Sequence, residues 1–244
     1  MKWLFYFCLI TCNTSAKAQY QLAFIKTGLE SVNVYDTDTR DIIQTFYKNT
    51  YFQFEKVMTD GKFIFTGYSG GYCYIDSIQI FSELPKKQQQ KRINDVFNKF
   101  YAICTLDRQP VIDTFDGEID TSYVLPWEKY YNNTFYPILS GFDDYYKITK
   151  DTVSLLNLMQ AVKCDPDGEF GETLSMVLAS CYLSNKGLFI RQFQKLKSKE
   201  YRGLIKKRVY WGIGLFYSYK ERWRTKDTPG LIEKEEALLE KLLK

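Results

Sequence analysis

The chain has 244 residues, 33 of them Lys or Arg and 29 Asp or Glu, and it contains no histidine. The missing histidine excludes Ser-His-Asp and Cys-His catalysis, histidine acid–base work and histidine-bound zinc, and a net charge of +4 offers little to a nucleic acid. The length suits one large or two small domains, and with 20 tyrosines and 18 phenylalanines much of the core has to be aromatic.

At the start, Lys2 stands ahead of an apolar run from Trp3 to Ile10, and small residues follow in Ala16-Lys17-Ala18. That is the order of a secretory signal peptide, so residues 1–18 are expected to be cleaved near Ala18 and the mature chain to reach the periplasm or the extracellular space. Lipid attachment at Cys12 is the alternative, but Leu9-Ile10-Thr11 lacks the small residue that usually precedes a lipidated cysteine. The apolar run is far shorter than the roughly 20 residues of a membrane helix. No later segment comes close, and no integral membrane span is expected. Cleavage removes Lys2 and Lys17 from the 33 basic residues and leaves 31 against 29 acidic ones, which predicts no nucleic-acid partner.

Residues 19–84 read as a small antiparallel barrel: short β-branched and aromatic runs broken by turn residues. Five strands are expected, in SVNVYD from Ser31, in DIIQTFY after a turn at Asp36 to Arg40, in YFQFEKV, in KFIFTGY after Asp60-Gly61, and in GGYCYIDSIQI. At Pro85 the period changes. Ile93, Val96, Phe97, Phe100 and Cys104 fall at helical spacing and predict a linker helix over 85–104. Residues 105–148 mix prolines, glycines and aromatics without a steady period and are expected to be irregular, with a few edge strands.

From Thr149 to residue 244 the spacing is helical. Leu155, Leu158, Met159 and Val162 form one stripe, and Leu174, Val177, Leu178, Cys181 and Tyr182 a second. Helices follow at Leu188–Leu196 and Tyr201–Tyr219. A last one, introduced by Thr228-Pro229, carries Leu231, Leu238 and Leu242, and its amphipathic face suits docking on this chain or on another. The segment RVYWGIGLFYSY (208–219) is apolar on every side and reads as a buried central helix, with Gly212 and Gly214 admitting a close neighbour. The most basic stretch, residues 191–208, reads as a solvated face that is also able to meet an anionic polymer or an acidic protein.

Four cysteines remain after residue 18: Cys73, Cys104, Cys164 and Cys181. Neither their number nor their spacing matches a disulfide-rich scaffold or a zinc motif. Cys164 and Cys181 flank a helical hairpin turning near Gly168, and the unequal arms put them on the order of 13 Å apart at 1.5 Å per residue, beyond bridging distance. A metal is not expected: CDPDGEFGE (164–172) resembles a calcium loop only faintly and reads better as a helix-to-helix turn. Carboxylate pairs survive the loss of histidine, since a glycosidase needs only two acids. Asp116, Glu118 and Asp120, with Asp143 and Asp144, are the candidates, although acidic loop residues are commonly just solvated.

Residues 31–80 resemble a bacterial SH3-type domain of the exported kind. Val32-Asn33-Val34-Tyr35 stands at that family's LNVR strand. Ile42 to Phe46 with Lys48-Asn49, then Phe63 and Phe65, then Gly71-Tyr72-Cys73 stand at its later strands. Tyr35 replaces the usual arginine, Asn49 the usual glycine and Phe63 the usual tryptophan. The resemblance covers about a quarter of the chain and implies a five-stranded barrel that binds peptide or cell-wall polymer without doing chemistry. It also implies a buried valine site for Cys73, which would leave Tyr72 and Tyr74 on the opposite, outward face by strand alternation. Packing of these tyrosines beneath the helical half is the plainer alternative.

The expected protein is therefore α+β and multidomain, an SH3-like barrel followed by a helical domain, exported, non-catalytic and without cofactor. Tyr35, Tyr68, Tyr72 and Tyr74 are expected to hold an extended cell-wall peptide or glycan. An extracytoplasmic immunity or inhibitor protein that blocks a toxin or hydrolase is the alternative, and a glycosidase built on the middle carboxylates the third.

Overall fold

A computed structural model describes residues 22–57, 62–65, 71–106, 130–164, 169–221 and 228–242. A small antiparallel β region leads into a mostly helical one, an α+β arrangement. The strands are β1 (Leu22–Ile25), β2 (Ser31–Tyr35), β3 (Ile42–Tyr47), β4 (Tyr51–Val57), β5 (Lys62–Phe65), β6 (Tyr72–Tyr74) and β7 (Ile78–Ile80). They hydrogen-bond in the order β3-β2-β6-β5-β4-β1-β7, and among the described residues β3 and β7 do not pair with each other.

Among the described residues, seven strands form where five are expected. β1 escapes the pattern because both its faces are buried: Ala23 and Ile25 join an inner core with Val32, Val34, Phe46, Phe52, Phe54, Cys73 and Ile78, while Leu22 and Phe24 face the helices. A strand covered on both sides has no polar face to alternate with. The run GGYCYIDSIQI is divided by a 3-10 turn, Ile75–Ser77, into β6 and β7. The turn between β2 and β3 falls where expected. The Asp36 carboxylate accepts the N–H groups of Asp38 and Thr39 at 2.8 Å each, and Arg40 takes a φ of 65°. Asn49 has φ 70° between β3 and β4, a left-handed conformation that asparagine and glycine adopt most readily.

The helices are α1 (Lys86–Leu106), α2 (Tyr136–Thr149), α3 (Thr152–Ala161), α4 (Glu169–Ser184), α5 (Lys186–Gln194), α6 (Lys199–Glu221) and α7 (Thr228–Leu242). The expectation of an irregular stretch fails at its C-terminal end. Residues 131–135 form a π-helical turn that runs directly into α2. The aromatics hide the period: Phe135, Ile138, Leu139, Phe142 and Tyr146 are buried in one stripe, but Tyr130, Tyr131 and Tyr136 on other sides blur it. Pro137 sits in the first turn of α2, directly after the π turn.

The centre of the helical region is the crossing of α4 and α6. A Cβ built on Gly212 would lie 1.9 Å from the Ser175 carbonyl oxygen and 2.9 Å from the Ala179 Cβ, so the two backbones touch there. Gly214, expected to serve the same purpose, has nothing within 4 Å of such an atom. Nor is α6 buried all round, since Val209 and Ile213 are enclosed while Tyr210 and Trp211 are each 43 % exposed. Both expected stripes, from Leu155 to Val162 and from Leu174 to Tyr182, are in the core.

α7 docks on its own chain through Leu239, one residue beyond the expected Leu238. It is also tied by Lys186–Glu235 and Lys206–Glu240 ion pairs at 2.6 Å. Among the described residues no helix is long and apolar enough to cross a membrane. Cys73 and Cys181 are buried free thiols, whereas Cys164 is disulfide-bonded; the expected lack of a Cys164–Cys181 bridge holds, and Cys104 carries no described side chain.

Three helices meet at Asp151, the N-cap of α3. Its carboxylate accepts the N–H groups of Val153 and Ser154 at 3.1 Å, the Tyr145 hydroxyl from α2 at 2.7 Å and the Gln90 amide from α1 at 2.7 Å. Burial alone would raise its pKa, but the hydrogen bonds from Ser154, Tyr145 and Gln90 outweigh burial and hold it below the ordinary value.

Two outcomes follow for stability. Gly212→Ala is expected to cost about 3 kcal/mol in chemical denaturation because backbone must move, whereas Gly214→Ala is expected to change nothing or to gain up to about 1 kcal/mol from helix propensity. Asp151→Ala is expected to cost about 2 to 4 kcal/mol through the lost cap and the orphaned partners. Because the folded pKa is depressed, this contribution is complete above the unfolded value of about 4 and is lost as pH falls through the lower folded value, so acid titration of the Asp151→Ala variant would show a flatter stability profile below pH 4.

Candidate functional site

Antiparallel register puts alternate residues of β2, β3 and β6 on one outer face. Tyr35 lies opposite both Ile42 and Tyr72, and the bulge between Val34 and Tyr35 turns that end of the hairpin outward. The three rings pack on one another, with centroids 5.7 Å apart for Tyr35–Tyr72, 5.8 Å for Tyr35–Tyr74 and 6.0 Å for Tyr72–Tyr74. The close approach depends on Gly71, where a Cβ would fall 2.6 Å from side-chain atoms of both Val34 and Ile43 and 3.0 Å from the Tyr35 carbonyl oxygen.

Strand alternation is therefore obeyed. Cys73 is on the inner side, 1 % exposed, and Tyr72 and Tyr74 are on the outer side. Exposure separates the two tyrosines: Tyr74 is 48 % exposed and Tyr72 only 6 %. Tyr72 is thus a backing for the cluster and not a lip, an outcome that alternation alone does not reveal. Among the described residues, Tyr72 belongs to neither core cluster. Tyr68 lies outside the described residues. Ile42, which pairs with Tyr35, and Ile43 and Ile75 are also exposed and extend an apolar margin at that end of the sheet.

The acidic candidates divide. Asp116, Glu118 and Asp120 lie outside the described residues, as do residues 165–168 of the calcium-like segment. Asp143 and Asp144 are neighbours on α2 and share one cation, the Lys147 ammonium, at 2.8 and 3.2 Å. Asp143 also accepts the Ser180 hydroxyl at 2.9 Å. The carboxylates are occupied by partners of their own helix and of α4. No group of three or more potential metal ligands occurs among the described residues.

A second concavity lies where the sheet meets the helical region, and no residue of it is singled out by the sequence. Phe24 and Tyr51, from β1 and β4, pack with centroids 5.5 Å apart. The Arg92 guanidinium of α1 lies 4.0 Å above the Phe24 ring and donates to the Tyr51 hydroxyl at 3.3 Å. Beside this contact, Gln53 donates to the Ser140 hydroxyl at 2.7 Å and Thr134 to the Asn49 carbonyl at 3.0 Å. These bonds bridge β3–β4 to the π turn and α2 and leave a cleft of about 340 Å³ between them, into which Gln44, Asn132, Asn133 and Tyr136 also open. The only signal in the sequence is the amide pair inside YYNNTFY, easily read as a turn.

On α6, Tyr210 and Trp211 stand exposed, with the Arg208 guanidinium 5.6 Å from the Trp211 ring. A groove of about 540 Å³ separates α6 from α7, bordered by Lys206, Lys207, Glu233 and Glu236. A hydrogen bond to Glu236 raises the Tyr210 pKa above its usual value.

No protein-family model, curated protein or solved structure matches the chain.

Neither free thiol is built for chemistry. Burial pushes the Cys73 thiol up to about 12, and burial pushes Cys181 well above its ordinary range. Both are expected to resist iodoacetamide at pH 8 in the native protein and to react at once in denaturant. Mass spectrometry of the alkylated protein checks this, and native labelling of Cys73 would show that the strand beneath the tyrosines opens.

Proposed function

We propose that this is an exported, non-catalytic binding protein whose β region is an SH3-like barrel and whose helical region supplies a second interaction surface. The ligand is an extended peptide or a cell-wall polymer. It lies along Tyr35 and Tyr74, with Tyr72 as the packed backing and the neighbouring Tyr68 as a further contact. The observation that carries this reading is the three-tyrosine cluster on the outer face of β2 and β6, held in place by Gly71 and bordered by exposed isoleucines. Rings with polar tips offer flat apolar area at low entropic cost to an extended chain.

Three observations support the rest of the reading. The left-handed Asn49 stands where the SH3-type pattern has glycine. Cys73 is buried where that pattern has valine. The disulfide at Cys164 suits an oxidising compartment and so a leader in residues 1–18. The absence of histidine from the sequence favours binding over chemistry.

A protein partner, as for an immunity or inhibitor protein, is the second reading. It is favoured by Tyr210, Trp211 and Arg208 grouped on the exposed side of α6, the residue types that dominate protein–protein contacts.

Co-sedimentation with purified cell-wall sacculi tests the first reading. The native protein is expected to pellet, and Tyr74→Ala to lose most of the bound fraction while keeping the native circular dichroism. A pellet unchanged by Tyr74→Ala, or none for either protein, overturns it. A stable one-to-one complex with a protein, lost on Trp211→Ala, would establish the second reading in its place.

A further inference from the structure

The cleft between the sheet and the helical region is lined by aromatic rings, among them Phe46, Tyr51 and Phe52, and by uncharged polar groups. Gln44 from β3, Gln53 from β4, and Asn132 and Asn133 from the π turn bring four carboxamides to its walls, with the hydroxyl of Ser140 and the ring of Tyr136 beside them. Among the described residues, no aspartate, glutamate, lysine or arginine lines it. In a chain that is 25 % charged, an uncharged wall of this kind is selective in itself. An ionic ligand would surrender water there without gaining a countercharge.

From this geometry we infer that the cleft is a binding site for an uncharged saccharide, separate from the tyrosine face. Each carboxamide carries a donor and an acceptor side by side, which matches vicinal hydroxyls or an acetamido group. The Tyr136 ring and Pro137 supply apolar surface for the C–H face of a sugar ring. The volume of about 340 Å³ is at the small end of ligand sites, which run from ~300 to 1,000 Å³, and suits one or two sugar rings.

The backbone gives a second, independent pointer. π-helical turns are rare and concentrate at functional sites, and this one, with the Tyr136 N–H bonded to the Tyr131 carbonyl, carries Asn132 and Asn133. Pro137 accounts for it: it has no N–H to donate to the Asn133 carbonyl at α-helical spacing, so the ordinary turn cannot close there. The wider turn sets the two asparagines at the cleft. Part of the wall is already fixed, because Gln53 is held by Ser140, and Ser140 in turn donates to the Pro137 carbonyl at 3.1 Å.

The test is a titration of the purified full chain with the tetramer of N-acetylglucosamine, followed through side-chain amide resonances in a ¹⁵N–¹H correlation spectrum. A neutral tetrapeptide and polygalacturonate serve as comparison probes. Saturable shifts of the Gln44, Gln53, Asn132 and Asn133 amides are expected, with affinity at least tenfold weaker in Gln44→Ala and in Asn132→Ala. Both residues are exposed, so neither variant should unfold. Val153→Ala, at an exposed position of α3 outside the cleft lining, should titrate as the native protein does. Absence of saturable shifts, tighter binding of the peptide or the polyanion, or a loss in Val153→Ala in place of the two amide variants would each overturn the assignment.

Discussion

Backbone-to-backbone contact between α4 and α6 at Gly212 and Ser175 is the constraint from which the helical region is built. With no Cβ at position 212, the two helices approach until side chains on either side of the crossing interlock: Leu174, Leu178 and Ala179 from one helix, Val209 and Ile213 from the other. Close-packed interiors transmit such a spacing to every neighbour. α2 lies against the same α4, and α3 packs on α1 and α5, with Phe142, Tyr146, Leu155, Leu158 and Met159 in the shared core. The Tyr201 hydroxyl, donating to the Met159 carbonyl, ties α6 back to α3.

The β region is joined to this body by shared strands. β1 and β4 each turn one face to the inner core and the other to the helices, so Phe24 and Tyr51 belong to the helical core while Ala23 and Phe52 belong to the core of the β region. Arg92 seals the join by lying over Phe24 and donating to Tyr51. A join made by two strands and one cation covers only part of the contact. The remainder is bridged by polar side chains, Gln53 to Ser140 and Thr134 to Asn49, and there the cleft opens. Amides, hydroxyls and aromatic rings surround that space in place of a continuous aliphatic core.

The two candidate surfaces use opposite resources. On the outer face of β2 and β6 the resource is aromatic area, exposed at Tyr74 and braced from below by Tyr72. In the cleft it is hydrogen-bonding capacity without charge. Buried titratable groups serve the fold. Asp151 joins α1, α2 and α3 through Gln90, Tyr145 and its own N-cap bonds, and Cys73 and Cys181 act as small apolar fillers.

Period and turn chemistry by themselves determined which segments are strands and which are helices wherever one face is wet. β2, the Asp36 turn, the two stripes of α3 and α4, and the start of α7 at Thr228 are all legible this way, because a half-exposed element must alternate with its own period. Absence of histidine settled the excluded chemistry in the same direct fashion. Tertiary structure decided the rest. β1 is buried on both faces and so has no alternation to read, and the tyrosines around Phe135 and Phe142 masked a helical stripe with aromatics on other sides. Alternation could assign Tyr72 and Tyr74 to one face, but only the packing of Tyr35 against them made one a support and the other a surface. The cleft was invisible because its amides come from positions 44, 53, 132 and 133, on elements that meet only after the sheet has docked on the π turn.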